Sequence, residues 1–327
     1  MQQPNHTDSA SARIAVLITY HDERELLHEC LRSLRAQTGA PEEVIVYDDA
    51  SIEPAASFIP AGMQVKIIRG EVNRGPSCGR NVLLRAAECE FVHFHDADDL
   101  FDLRWCAEVR AAIRNSDPDA VFTEISSYRG DRLLSRNTLG LERLHGKDLV
   151  SFCIAGALLT VSGTYRRSTV LAAGGYCEDM WQSEDWEFHV RLAASGITYR
   201  IISEPLVMQR VRADSRSQHQ QEVFTSAVRG IALLAEELPA RYRPELSDAA
   251  ARAGMALYRI GAHAEARHAF SLARSLGRPP LRAEHSLYRL AASLIGLEGA
   301  ERAGSVYRRL VPVSVRARMR SASDPVS

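Results

Sequence analysis

The sequence predicts an α/β protein, a mostly parallel central sheet with helices on both faces, followed by an α-helical C-terminal unit. Three observations predict it. Between residues 13 and 125, short β-branched runs alternate with longer stretches of helical period, the pattern of βαβ units. Polar clusters, "TYHDE", "DDAS" and "HDADD", follow three of those runs, at the strand ends where open parallel sheets bind ligands. From about residue 215, Ala, Leu and Arg replace the β-branched residues.

Taken in order, residues 1–12 are polar and lack an apolar stretch, so they read as a disordered leader and not as a signal peptide. The α/β domain spans 13–215. Its candidate strands are Arg13–Tyr20, Glu43–Asp49, Val65–Arg69, Phe91–Asp96 and Ala120–Ile125. Between them, Leu26, Leu27, Cys30, Leu31 and Leu34 share one helix face, and Val82, Leu83, Ala86 and Ala87 another. The uncharged stretch Leu149–Tyr165 carries Ser, Thr and Gly throughout, so a buried strand and turn is expected there and not a membrane span. The helical unit spans 216–310. Within it Ala256–Gly277 resembles a tetratricopeptide-like hairpin and Ser286–Leu310 a degenerate second copy, with Leu-Tyr-Arg triplets starting at Leu257 and Leu287. Fewer than three copies do not make a solenoid, so these helices are expected to pack on the preceding domain. A basic tail, 311–327, closes the chain.

The composition is that of a folded soluble protein, 46% hydrophobic and 25% charged over 327 residues. A net charge of -1 hides an asymmetry, since residues 240–320 hold 15 Arg against 6 acids. The six cysteines are scattered without close pairing, which excludes a zinc ribbon or a dense disulfide framework and fits a reducing, cytoplasmic setting. No nucleic-acid partner is expected.

Asp96, Asp98 and Asp99 leave the fourth strand within four positions. Such oxygen clusters suit Mg2+ or Mn2+ with phosphate oxygens and water as co-ligands, or else form a solvated turn capping the helix that begins near Leu103. On the residues alone both readings stand. His93 and His95 alternate with Val92 and Phe94 and are expected to be hydrogen-bonded in the strand and not metal ligands. In "SEDWEFHVRL", Ser183 is expected to cap a helix with Glu184 and Asp185 in its first turn, Phe188 and Leu192 facing the core and Arg191 pairing back toward the acids.

Together "IAVLITYHDERELLHECLRSLRAQTGAPEEVIVYDDAS", "NRGPSCGRN" and "FHDADD" resemble the start of a family-2 glycosyltransferase with a GT-A fold, over roughly residues 13–210. The resemblance implies that Thr19 and Tyr20 lie near the nucleotide and that Asp49, beside Asp48, reads the base. Asp96 and Asp98 would bind a divalent cation, Mn2+ or Mg2+, with the donor diphosphate. It gives "GPSCGRN" a role as well: Gly75 and Gly79 allow close turns, and Arg80 pairs with donor phosphate or with the Asp cluster. After "GGY" (Gly174–Tyr176), Glu184-Asp185 matches the family's Glu-Asp, which makes Asp185 the general base. Trp181 and Trp186 flank it, placed to stack on an acceptor sugar or to pack in the core.

Some positions depart from the family pattern. Ala50 stands where Gly is frequent and disfavours a positive φ, so that loop is expected to differ. His21 replaces a frequent Asn, and Arg212 stands where several members have a histidine near the diphosphate. The implied activity is inverting, metal-dependent transfer of a sugar from a nucleotide-diphosphate sugar to a carbohydrate or lipid-linked acceptor hydroxyl, in polysaccharide or glycoconjugate synthesis. The tail segment "YRRLVPVSVRARMR", with five arginines and no acid, could contact the inner face of an anionic membrane or stay solvated. Two alternatives remain: a non-catalytic GT-A-like protein whose helices bind a partner, and a haloacid-dehalogenase-type phosphohydrolase. Leu100, where that second family expects Thr or Val, argues against it.

Overall fold

All five β-branched runs form strands. The computed structural model describes residues 12–144, 146–156, 158–213, 215–281 and 286–310; the leader and the basic tail expected from the sequence lie outside them, apart from residue 12. The strands are β1 (Ile14–Tyr20), β2 (Glu43–Asp48), β3 (Lys66–Arg69), β4 (Phe91–Asp96), β5 (Leu100–Phe101), β6 (Ala120–Arg129), β7 (Arg132–Ser135), β8 (Gly163–Arg166) and β9 (Tyr199–Arg210). They form one sheet in the order β3-β2-β1-β4-β8-β6-β9-β5, with β7 on β6. The half that the βαβ pattern announces, β3-β2-β1-β4, is parallel throughout. Beyond it the sheet is mixed: β8 runs antiparallel to both β4 and β6, while β9 is parallel to β6. Register places Thr19 beside both Tyr47 and Asp96, so three polar strand ends reach one rim.

The helices of this unit are α1 (Arg24–Arg35), α2 (Pro76–Ala86), α3 (Trp105–Ser116), α4 (Leu149–Ala155), α5 (Arg167–Ala172) and α6 (Glu184–Ala194). Helix α1 buries the expected face, Leu27, Cys30, Leu31 and Leu34; each leucine contributes about 1.5–3 kcal/mol as an upper estimate. Helix α2 lies close on the sheet because residue 79 has no side chain. A Cβ there would sit 2.7 Å from the Tyr47 ring and 3.1 Å from Thr19 Cγ2.

The stretch Leu149–Tyr165 departs from the expected strand and turn. Its first half is α4, because the Asp148 carboxylate accepts from the Ser151 amide at 2.8 Å and starts a helix; only Gly163–Arg166 is strand. Ala50 also departs from expectation, since it adopts φ 55°. The loop thus keeps a left-handed residue without glycine and carries the Cβ strain of that region, roughly 1–2 kcal/mol. Ala50→Gly is therefore expected to raise stability by about 1 kcal/mol, read from the urea midpoint. An unchanged or lower midpoint would mean that the loop carries no such strain.

The second unit, from His219 onward, contains α7 (Gln220–Glu237), α8 (Arg243–Arg259), α9 (His263–Leu276) and α10 (Ser286–Leu310). Helices α8 and α9 form a hairpin, closely packed where Gly254 meets the Phe270 ring, but its first helix begins at Arg243, so the expected Ala256–Gly277 unit takes in only the last turn of α8 together with α9. The expected second copy is instead one helical stretch broken at Gly296 (φ 75°, ψ 170°). Its later part is fixed by Glu301, fully buried, which accepts two bonds from Arg259 at 3.1 and 2.6 Å.

Candidate active site

The acidic turn after β4 is held by arginines from distant segments. Arg80, on α2, is buried and donates through one terminal nitrogen to Asp96 Oδ1 at 2.8 Å and through the other to Glu184 Oε1 at 2.7 Å. It thereby joins the turn after β4 to the start of α6. Burial disfavours ionisation of Asp96, but the charge and hydrogen bond of Arg80 outweigh it and hold the acid below the usual carboxylate range. The same two carboxylates raise the Arg80 pKa against burial. Of the two pairings that the resemblance offered Arg80, this structure shows the Asp cluster, with the guanidinium committed to protein carboxylates.

Asp98 pairs instead with Arg212, at 3.1 Å, and the same guanidinium nitrogen lies 3.3 Å from Glu23. Burial and the neighbouring charge of Asp96 push Asp98 up to about 6, and burial with Asp98 and Asp96 pushes Glu23 up to about 8, while Arg212 opposes both shifts. Burial is the first cause of both shifts, and the neighbouring carboxylates add to it. Asp99 points away into the core, where its Oδ1 accepts from the Arg210 amide at 2.8 Å. Among the described residues, no three His, Cys, Asp or Glu side chains form a group that could hold a metal ion. Two hard oxygen donors, Asp96 and Asp98, fit a divalent ion that takes its other ligands from phosphate and water.

The two residues ending β1 part company, as neighbours on a strand must. Thr19 is half-buried at the rim. Tyr20 is buried, its hydroxyl donating to the Glu53 carbonyl at 3.0 Å, so its side chain belongs to the core and not to the nucleotide position implied by the resemblance. Asp48 accepts from the amides of Ser51 and Ala55 and from Arg69. Burial opposes its ionisation, yet those bonds hold its pKa low. The Asp49 carboxylate accepts from the amides of Arg74 (2.9 Å) and Gly75 (2.8 Å). Both its oxygens therefore shape the loop entering α2 rather than standing open for a base. His21, the departure from Asn, joins the same network, with one ring nitrogen on the Asp49 carbonyl and the other on Asn73.

Asp185 opens α6 half-buried, its Oδ1 accepting from the Trp186 amide at 2.8 Å. Burial first, and then the charge of Glu184, pushes it up to about 7. Ser183 does not cap this helix with its side chain; it takes a left-handed φ of 57° instead, which turns the chain sharply into α6. Arg191 pairs with Glu187, one turn earlier, and also donates to the carbonyls of Ala173 and Gly175. Behind the acids, Tyr176 stacks on Phe188 at 4.2 Å. Trp181 is 51% exposed, its ring lying close beside Gly75, and Trp186 is half-buried.

Two further residues, not among the expected site residues, face this cleft. Glu23 meets Arg212, and Arg216 donates to the Trp181 carbonyl at 3.3 Å while its charge acts on Asp96 and Glu23. Glu23 closes the "TYHDE" cluster after β1, whose position was the available signal, while Arg216 stands in none of the three polar clusters. His93 and His95 are buried, as expected, with His93 Nδ1 on the Gly163 carbonyl and Nε2 on His95 Nδ1. Burial lowers both pKa values, His95 to about 4, so the pair is neutral.

The parallel half-sheet, continued by a mixed half and flanked by helices, is a GT-A fold. Residues 15–166, within the sheet-bearing unit, match the model of Glycosyl transferase family 2. The chain is similar to the uncharacterized glycosyltransferase YwdF of Bacillus subtilis, 25% identical over 199 residues that cover 59% of this chain and 71% of YwdF. It is also similar to the poly(ribitol-phosphate) beta-N-acetylglucosaminyltransferase TarS of Staphylococcus aureus, 27% identical over 36% of this chain and 22% of TarS. In structure, it resembles TarS 1–349 in complex with UDP-GlcNAc, with TM-score 0.60, 16% identity and coverage of 91% and 92% of the two chains. It likewise resembles the mannosyltransferase PcManGT of Pyrobaculum calidifontis in complex with GDP-Man and Mn2+, with TM-score 0.56, 18% identity and coverage of 91% and 87%. The phosphohydrolase alternative falls with the family match.

Proposed function

We propose that the protein transfers a hexosyl group from a nucleotide-diphosphate sugar to an acceptor hydroxyl, with inversion at the anomeric carbon. The observation that carries this reading is the Arg80 clamp, one arm on Asp96 and the other on Glu184, which ties the donor-side acids to the helix that presents Asp185. Thr19 lines the nucleotide edge, and Asp49 acts there by shaping the 73–75 loop. Asp96 and Asp98 would hold Mn2+ or Mg2+, which supplies positive charge against the departing diphosphate. Arg212 and Arg216 add cationic groups on the same side, and Arg212 would exchange Asp98 for phosphate when the donor enters. Asp185 takes the proton from the acceptor hydroxyl as that oxygen attacks the face opposite the diphosphate. Trp181 and Trp186 border the acceptor. The UDP-GlcNAc and GDP-Man complexes of the structural relatives support a nucleotide-sugar donor and, for one of them, Mn2+.

The acceptor is carbohydrate or lipid-linked, in polysaccharide or glycoconjugate synthesis at the inner face of a membrane, where the basic tail meets anionic headgroups. The test is release of nucleoside diphosphate from a panel of nucleotide sugars, with Mn2+, with Mg2+ and with chelator. Activity with either ion that chelator abolishes supports the reading; no release from any donor returns the protein to the non-catalytic alternative. The pH dependence follows from Asp185, which faces Glu184 on its own helix, Arg80 on α2 and Asp96 on β4. As a base it must be ionised, so the rate is expected to rise about tenfold per pH unit below about 7 and to flatten above it. A profile already flat from pH about 5 upward would remove Asp185 from that role.

A further inference from the structure

We propose that the first half of α10 lies on an anionic bilayer, its apolar face among the acyl chains. Residues 286–295 are separated by the break at Gly296 from the later part of the helix, which is packed in its unit through Leu297, Ala300 and Glu301. In this first half Leu287, Leu290, Leu294 and Ile295 are 78%, 56%, 74% and 57% exposed. At about 100° per residue, they and Ala291 fall within an arc of about 140°, with Arg289 and Ser293 on the other side. Four large aliphatic side chains on one exposed face of a ten-residue helix form a patch of the kind that lies against a partner.

The charge that follows identifies the partner. Residues 302–320 contain Arg302, Arg308, Arg309, Arg316, Arg318 and Arg320, and no Asp or Glu. A second copy of the chain would bring the same positive charge against it. A bilayer with anionic headgroups offers acyl chains for the leucines and negative charge for the arginines. Stable attachment of a peripheral protein generally takes two such signals, an apolar one and a basic one. Among the described residues no helix is long and apolar enough to cross the membrane, so the helix lies along the surface. This inference extends the membrane contact proposed for the tail and is independent of the sugar chemistry.

The experiment is flotation of the full-length chain with vesicles of phosphatidylcholine, alone or mixed with phosphatidylglycerol. Binding is expected only to the mixed vesicles, to weaken with salt, and to fall at least about tenfold in Leu290→Glu/Leu294→Glu, with nucleoside diphosphate release in solution unchanged. A chain ending at Leu310 tests the tail by itself: if its binding persists while the leucine variant loses it, the tail reading falls and the helix reading stands. Three results would overturn the proposal. They are unchanged vesicle binding by the leucine variant, light scattering in which that variant only splits a dimer, and a lowered urea midpoint showing that the leucines are covered by the chain itself.

Discussion

Asp185→Asn is expected to cut turnover by roughly 10²–10⁴ while leaving donor affinity nearly intact. Asn keeps the size and can still accept from the Trp186 amide, so the start of α6 is preserved; what is lost is the ability to take a proton. The stability effect has the opposite sign. The folded pKa of Asp185, about 7, lies above its ordinary 3.8, so the favourable contribution of the protonated carboxyl is fully present below pH 3.8 and is lost as pH rises through about 7. At pH 8 the ionised group burdens the fold, and the amide relieves it. The variant should therefore be slower and yet melt higher, a combination that misfolding cannot imitate. Donor titration by calorimetry and single-turnover kinetics check the first part, and thermal unfolding checks the second. Turnover within a few fold of the parent would move the base to another residue.

Arg80→Met is expected to cost about 3–5 kcal/mol of stability at neutral pH, because it leaves the Glu184 carboxylate buried without its cation. Asp96 is more exposed and contributes less to that cost. Adding Glu184→Gln to the same chain removes the stranded charge, so the double variant should recover at least half of the loss. Urea unfolding of the four members of this cycle measures the coupling. A simple sum of the two single effects would mean that the clamp is not the unit described here. Activity gives a separate reading, since the double variant regains stability without regaining the hold on Asp96.

Three strands of the parallel half, β1, β2 and β4, were legible because they are buried and read as near-continuous apolar runs, whereas the exposed edge strand β3 was marked by its β-branched residues. Strand β8 was hidden within an uncharged stretch whose first part is helical, a helix announced only by Asp148 at its start. Strand β9 carries Pro205 and a shifted register against β6, and its polar residues mask the period. At the site, residue positions were readable but side-chain directions were not. "TY" and "DD" each place two adjacent residues on opposite faces, so Tyr20 enters the core and Asp48 and Asp49 serve different loops. The partners of Arg80, 16 and 104 residues away, depend on the folded topology, which no local spacing encodes. Ala50 shows the converse: its residue type argued against a left-handed turn, and the surrounding network imposes one all the same.

The bond from the Arg210 amide to Asp99 spans 111 residues. During synthesis, the acidic turn is complete long before the strand that anchors it has been made, and until then three carboxyl groups crowd one bend with neither Arg210 nor Arg212 nearby. The turn after β4 therefore takes its folded anchorage only once residue 210, in the last strand of the sheet, has been made.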